Sequence, residues 1–214
     1  LIAPDPEARR AFILANTRLQ TPPHTPELRL HLADEVTPIW RMTEDELGAI
    51  GLPPPFWAFA WAGGQALARY LLDHPEEVSG KTVVDFATGS GIVAIAAAQN
   101  GSMSAASTCA AAVSLNAEAN AVRLGFTESD LLDAPPPAAG LILAGDIFYE
   151  QPLADRAMAW LAAARGAGAR VLIGDPGRSY FPRSGLAQLA EYRVRTSREL
   201  EDSEVKRTSV WTIA

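Results

Sequence analysis

Val83-Val84-Asp85-Phe86-Ala87-Thr88-Gly89-Ser90-Gly91-Ile92-Val93-Ala94 sets a short apolar run, an acid, a Gly-x-Gly turn and a second apolar run in direct succession. Such a run reads as a buried strand that passes through a glycine turn into an apolar helix. Glycines after a parallel strand let the backbone approach a ligand closely, and the helix N-terminus that follows offers free N–H groups. In an open α/β sheet this loop lies at the carboxyl edge of the strands, where ligands bind. A dinucleotide fingerprint needs a further glycine three residues on, but Ile92, Val93 and Ala94 follow Gly91, which argues against NAD. An ordinary tight strand-to-helix turn is the plain alternative.

From Lys81 onward, short apolar strands alternate with alanine-rich helices, the mark of βα units and a mostly parallel sheet. Strands are expected at Thr82 to Phe86, Gly140 to Ala144 and Ala169 to Gly174, with helices near Gly91 to Gln99, Ala110 to Val122 and Pro152 to Ala164. Pro135, Pro136 and Pro137 make a rigid turn between them. After Asp175 the pattern predicts a Pro/Gly loop and a short helix near Gly185 to Ala190. Tyr192 to Thr196 and Val205 to Ile213 then read as an antiparallel pair at the sheet edge.

Upstream, Pro6 to Asn16 predicts a helix with Phe12, Ile13 and Leu14 inward, and Thr21 to Pro26 a proline-rich break. Leu28, Leu30 and Leu32 alternate as in a half-buried strand, and Thr43 with Glu46 has capping-box spacing. The expectation is a single domain, with an N-terminal appendage and pocket lead-in over residues 1–62 and a core over 63–214.

Composition narrows the function classes. A net charge of -7 argues against binding a nucleic-acid backbone, which calls for a basic stripe. The single cysteine, Cys109, excludes an internal disulfide, and three scattered histidines show no ligand spacing, so no metal is expected. No apolar run is long enough to span a membrane, nothing at the start reads as a signal peptide, and a reducing, cytoplasmic location fits.

The strand ending in Asp85 and its glycine turn resemble the first motif of the seven-strand class I methyltransferases, which use S-adenosylmethionine (AdoMet) and release S-adenosylhomocysteine. The resemblance implies a Rossmann-like seven-strand methyltransferase sheet, mostly parallel with an antiparallel edge. Pro54-Pro55-Phe56-Trp57-Ala58-Phe59-Ala60-Trp61-Ala62-Gly63-Gly64 and Gly145-Asp146-Ile147-Phe148-Tyr149-Glu150 look like the tryptophan-rich segment and the Asp-x-x-Tyr motif of the family 16 protein methyltransferases. Within that family, Asp175-Pro176-Gly177-Arg178-Ser179-Tyr180 and the tail Arg198 to Asp202 through Thr208-Ser209-Val210-Trp211 resemble the bacterial electron transfer flavoprotein β-subunit lysine methyltransferases.

The resemblance implies roles residue by residue. Trp57, Trp61 and Gly63 would help wall the AdoMet pocket, Asp85 and Gly89 would hold its methionine end, and Asp130 would lie near the adenine. Ala87 stands where many members have a glycine, and Asn116 in Leu115-Asn116-Ala117-Glu118 matches the family again within the cofactor-binding set. Asp146 and Tyr149 would face the reacting amine, with Phe148, Arg178 and Tyr180 shaping the substrate mouth. Each has a plainer reading: core packing for Trp57 and Trp61, a turn or cap for Asp130, a solvated loop for Arg178 and Tyr180.

One departure stands out. Members carry an acid after the second core strand to bind the ribose hydroxyls, whereas residues 92–115 contain no Asp or Glu. The stretch from Gly101 to Ala112 also looks several residues short for a full helix, loop and strand. Either a ribose contact is lost, at about 1.5–3 kcal/mol per charge-assisted bond, or the sequence is altered or incomplete there. The expected activity is methylation of lysines on the electron transfer flavoprotein β subunit. The alternatives are a small-molecule (amine or nicotinamide-like) N-methyltransferase and a non-catalytic AdoMet-fold binding module.

Overall fold

The computed structural model describes residues 5–34, 39, 42, 44–101, 103–107 and 109–214, with the side chains of all of these except 44, 103–107, 198 and 199. Thr43 of the expected capping box lies outside the described residues. The chain forms helix α1 (Pro6–Asn16), the short strands β1 (Arg18–Gln20) and β2 (Leu30–Leu32), and helices α2 (Glu44–Ala49) and α3 (Ala62–Asp73). The βα core follows as β3 (Thr82–Phe86), α4 (Ile92–Gln99), β4 (Met103–Ser107), α5 (Ala110–Ala119), β5 (Gly125–Thr127), β6 (Leu141–Gly145), α6 (Gln151–Gly166) and β7 (Arg170–Asp175). The chain ends in β8 (Leu186–Arg195), α7 (Arg198–Glu201) and β9 (Val205–Ile213).

The sheet has seven strands in the order β5-β4-β3-β6-β7-β9-β8. The pairs from β5 to β7 are parallel, and β9 and β8 close the edge antiparallel. Chain direction reverses its march between β3 and β6, which opens a crevice at their carboxyl ends. Successive residues of a strand face opposite sides, so Val83, Leu141, Leu143 and Leu172 join α3 and α4 in one apolar layer. Val84, Ile142, Val171 and Ile173 join Trp160 and Leu161 of α6 in the other. Leu28, Leu30 and Leu32 belong to the same layer as α3, so the N-terminal ribbon shares the main core.

Several expectations are corrected. The segment from Gly185 to Ala190 is not a helix: Leu186–Arg195 pairs along β9 with an irregularity between Gln188 and Ala190. Its Leu-Ala-Gln-Leu-Ala spacing suits a helix, but the ladder with β9 overrides that local preference. Leu14 points outward at 44% exposure while Ile13 is buried. Gly101 to Ala112 is long enough, because α4 ends at Gln99 and β4 fits between β3 and β5. Strands β4 and β5 had no sequence reading, being short and poor in large apolar residues, and the helical spacing of Leu67, Tyr70 and Leu71 in α3 was passed over. Among the described residues no helix is long and apolar enough to cross a membrane.

Helix α3 sits on the sheet backbone to backbone. A Cβ on Gly174 would fall 2.2 Å from the Gly63 carbonyl oxygen and 2.9 Å from Leu67 Cβ, and one on Gly145 would fall 3.2 Å from Gly64 Cα. These positions exclude any side chain. Gly174→Ala is expected to cost roughly 2–3 kcal/mol through overpacking, while Gly166→Ala, whose Cβ would meet nothing within 4 Å, leaves stability unchanged or slightly higher. Urea unfolding of both variants checks this, and equal losses would show that α3 is not seated so closely.

Candidate active site

The glycine loop bends through two residues at positive φ before α4 begins: Ala87 at 55° and Gly89 at 55°, with Gly91 at 84° as the N-cap. Ala87 is thus held in a region that favours glycine, a strain of about 1 kcal/mol. Asp85 is fully buried beneath the loop. Its Oδ2 accepts from the Thr88 hydroxyl and from Ala94 N–H at 3.0 Å, tying strand, loop and the first turn of α4 together. Its Oδ1 is buried with no partner, as is Ser90 Oγ. Burial raises the Asp85 carboxyl to about 7, against the pull of the Thr88 and Ala94 hydrogen bonds.

A cleft opens over this loop at the carboxyl edge of the sheet, where ligands bind in this class of fold. Asp85, Ala87, Thr88, Gly89, Ser90, Ile92 and Val93 line it together with Phe59, Trp61, Gly64, Gly145 and Asp146. Asp146 follows β6 with φ 56°, a left-handed conformation that Asp tolerates better than most side chains. Its Oδ2 accepts Gly64 N–H at 2.9 Å, and its Oδ1 accepts Arg178 Nε–H at 3.0 Å and Nη2–H at 2.5 Å. Burial raises its carboxyl to about 6; the Arg178 charge opposes the rise and the Glu201 charge adds to it.

Arg178 is fixed from three sides. Asp175, at the end of β7, accepts the N–H groups of Gly177 and Arg178 on Oδ1 at 2.6 and 2.8 Å, making the turn from which the side chain reaches back. Glu201 accepts Nη2–H and Nη1–H at 2.8 and 2.9 Å, and the guanidinium carbon lies 5.7 Å from the Trp61 ring centre. Burial raises the Asp175 carboxyl to about 7. Trp61 in turn donates Nε1–H to the Phe56 carbonyl at 2.9 Å, and Phe56 meets Tyr149 with ring centres 5.7 Å apart at the rim.

The structure thus gathers Trp61, Asp85, Ala87, Gly89 and Asp146 around one cleft, with Arg178 on Asp146 and Tyr149 at the exposed rim. Other expected residues lie elsewhere. Trp57 is in the core, its Nε1–H on the Pro53 carbonyl, because the short helical turn Pro55–Ala58 rotates it inward while Trp61 lies beyond that turn. Gly63 packs on Gly174, and its neighbour Gly64 is the residue that faces the cleft. Phe148 is buried against Phe181, and Tyr180, half exposed, is joined to it through backbone. Asn116 is a brace: its amide donates to the Ser90 carbonyl at 2.8 Å and its oxygen accepts His31 N–H at 2.6 Å, which pins the glycine loop to β2. Asp130 caps the turn Leu131–Asp133 and pairs with Arg156, outside the cleft lining.

Sequence reasoning passed over Thr88, Ser90, Gly64, Gly145, Asp175 and Glu201. Asp-Pro-Gly at 175–177 carries a turn signal that reveals Asp175. Glu201 stands in a run of charged residues that nothing local separates into buried and exposed.

Asp85 gives a sign to the pH dependence of stability. Its carboxyl is raised from the ordinary range near 4 to about 7, so the fold favours the protonated form. That contribution is full below about pH 4 and is lost as the pH rises through 7. Asp85→Asn, which cannot ionise, is expected to gain roughly 2–3 kcal/mol at pH 8 relative to its effect at pH 5. Denaturation midpoints at the two pH values measure it; an equal change at both would place the ionisation cost elsewhere.

No protein-family model matches the chain. It is 37% identical to the electron transfer flavoprotein β subunit lysine methyltransferase of Xenopus laevis, over 95% of this chain and 86% of that protein. It is 34% identical to the protein of that name from Homo sapiens, over 97% and 82%. Its fold matches magnesium protoporphyrin IX methyltransferase from Synechocystis PCC 6803 with bound SAM, at TM-score 0.52 and 15% identity over 72% of this chain and 80% of that one. With the glycine loop, the crevice between β3 and β6 and Asp146 on its wall, these relationships show that the chain belongs to the electron transfer flavoprotein β subunit lysine methyltransferase family.

Proposed function

We propose that this chain methylates lysine side chains of the electron transfer flavoprotein β subunit, with AdoMet held over the glycine loop and the lysine amine presented at Asp146. The observation that supports the reading is the cleft shared by the glycine loop and Asp146, which brings the loop and a buried carboxylate to one opening. The residues present fit AdoMet. Asp85 Oδ1 and Ser90 Oγ are buried acceptors without partners in the lining, suited to the ammonium of the methionine end, and Gly89 leaves the backbone open to close approach.

Bound AdoMet supplies a methyl group activated by its sulfonium. The work left to the protein is to hold a neutral amine on line with that group, which is mostly positioning. A lysine ammonium, with an ordinary value near ~10.4, must give up a proton to water before the neutral amine attacks the methyl carbon and S-adenosylhomocysteine leaves. Asp146 holds the nitrogen through the lone pairs that Oδ2 has left after Gly64, and its charge stabilises the positive charge that the amine nitrogen gains. Trp61 on the cleft wall, with Phe56 and Tyr149 at the rim, lines the approach for an aliphatic stem ending in a cation.

Intact-mass spectrometry of the flavoprotein after incubation with this protein and AdoMet tests the reading. Methyl-sized increments on the β subunit are expected, with the rate falling as the pH drops through about 6 and Asp146 takes up a proton. Asp146→Asn keeps a side chain that tolerates positive φ but removes the charge, and should slow transfer at least about 100-fold. Unmodified flavoprotein with bound AdoMet confirmed by calorimetry would reject the substrate; full activity in the variant would reject the role of Asp146.

A further inference from the structure

Glu201 is 2% exposed although it stands among charged residues at the end of α7. Its Oε1 and Oε2 take the outer edge of the Arg178 guanidinium at 2.8 and 2.9 Å, and Oε1 also accepts Ala62 N–H at 3.3 Å at the start of α3. The inner edge of the same guanidinium rests on Asp146 Oδ1 through Nε–H and Nη2–H. Arginine keeps its charge in any such setting. One cation is therefore shared by two carboxylates, and the three groups together hold one negative charge against the cleft wall. With Asp146 and Arg178 alone the charge would be nil.

That difference bears on an amine. A cationic side chain entering a partly desolvated cleft is drawn by net charge, and a carboxylate already matched by its own guanidinium offers it little. We propose that Glu201 is a positioning residue for the amine site: by taking the outer edge of Arg178, it keeps Asp146 from being neutralised and leaves a net carboxylate for the incoming lysine. Asp175 assists by fixing the backbone of Gly177 and Arg178, and Trp61 covers the guanidinium face. The inference rests on the methyl-transfer reading of the same cleft.

Steady-state kinetics on the flavoprotein separates this role from a structural one. Glu201→Gln should raise KM for the flavoprotein about ten-fold or more, with kcat changed far less and AdoMet affinity within about two-fold. Glu201→Asp, which keeps the charge, should recover part of the loss. Adding Arg178→Met to Glu201→Gln restores the net negative charge and should lower KM again. A double variant worse than Glu201→Gln, or parallel losses in kcat, AdoMet affinity and thermal stability, would overturn the proposal and leave Glu201 as a structural group. A second readout needs no flavoprotein: by carboxyl 13C NMR, Asp146 should titrate at lower pH in Glu201→Gln than in the parent. An unchanged titration overturns the proposal. No transfer by the parent, with the NMR shift present, would reject the flavoprotein as substrate and leave the charge arrangement standing.

Discussion

The first turn of α3 lies with its backbone directly on the ends of β6 and β7, and much of the site follows from that contact. A helix N-terminus carries unpaired N–H groups and a partial positive charge. Here two of those groups, on Ala62 and Gly64, are spent on the carboxylates of Glu201 and Asp146. The approach is this close because Gly63, Gly145 and Gly174 have no side chains at the crossing. A bulkier residue at any of them would lift the helix and carry Trp61, its N-cap, away from the cleft. Packing and electrostatics are therefore one constraint at this point of the fold.

Three buried acids gather at the carboxyl edge of the sheet, and each is raised well above the ordinary carboxyl range. Two of them lack the full set of partners that would make burial cheap: Asp85 and Asp175 each keep one buried oxygen without a partner. Burying such groups destabilises the fold, and natural sequences retain that kind of violation at functional sites. The compensation is a cleft whose walls favour positive charge. AdoMet carries a sulfonium and an ammonium, and a lysine substrate carries an ammonium, so the same local field serves both. Net protein charge of -7 extends that preference over the surface.

The glycine loop and strands β3, β6 and β7 were legible because each couples an apolar run to a distinctive end: Asp85 before the turn, Asp146 after β6, Asp175 before Pro-Gly. What escaped is what only tertiary contact decides. Trp57 and Trp61 are four residues apart in one aromatic segment, yet a single short turn sends the first to the core and leaves the second at the cleft. Gly63 and Gly64 are chemically identical, and which one faces the ligand depends on the helix phase set by Gly174. Asp130 has the composition of a binding acid and the local geometry of a cap, and the structure uses it as a cap. Glu201 is hidden in a charge run because its partner, Arg178, lies 23 residues away in sequence.

The acid-free stretch from 92 to 115 acquires a different weight once the cleft is laid out. Its lining comes from within residues 59–64, 85–93 and 145–146, on both sides of the β3–β6 switch point, and Asp146 lies across β3 from β4. At the start of α5 an acid does appear from another direction, since Glu128, just past β5, accepts Ala110 N–H at 3.2 Å. A missing ribose partner on the β4 side would weaken the ground state and the transition state alike. Uniform losses of that kind raise the cofactor concentration needed for half-maximal rate and leave the chemical step unchanged. The proposed amine site, Asp146 on Gly64 and Arg178 shared with Glu201, stands on the other half of the sheet and does not depend on that loss.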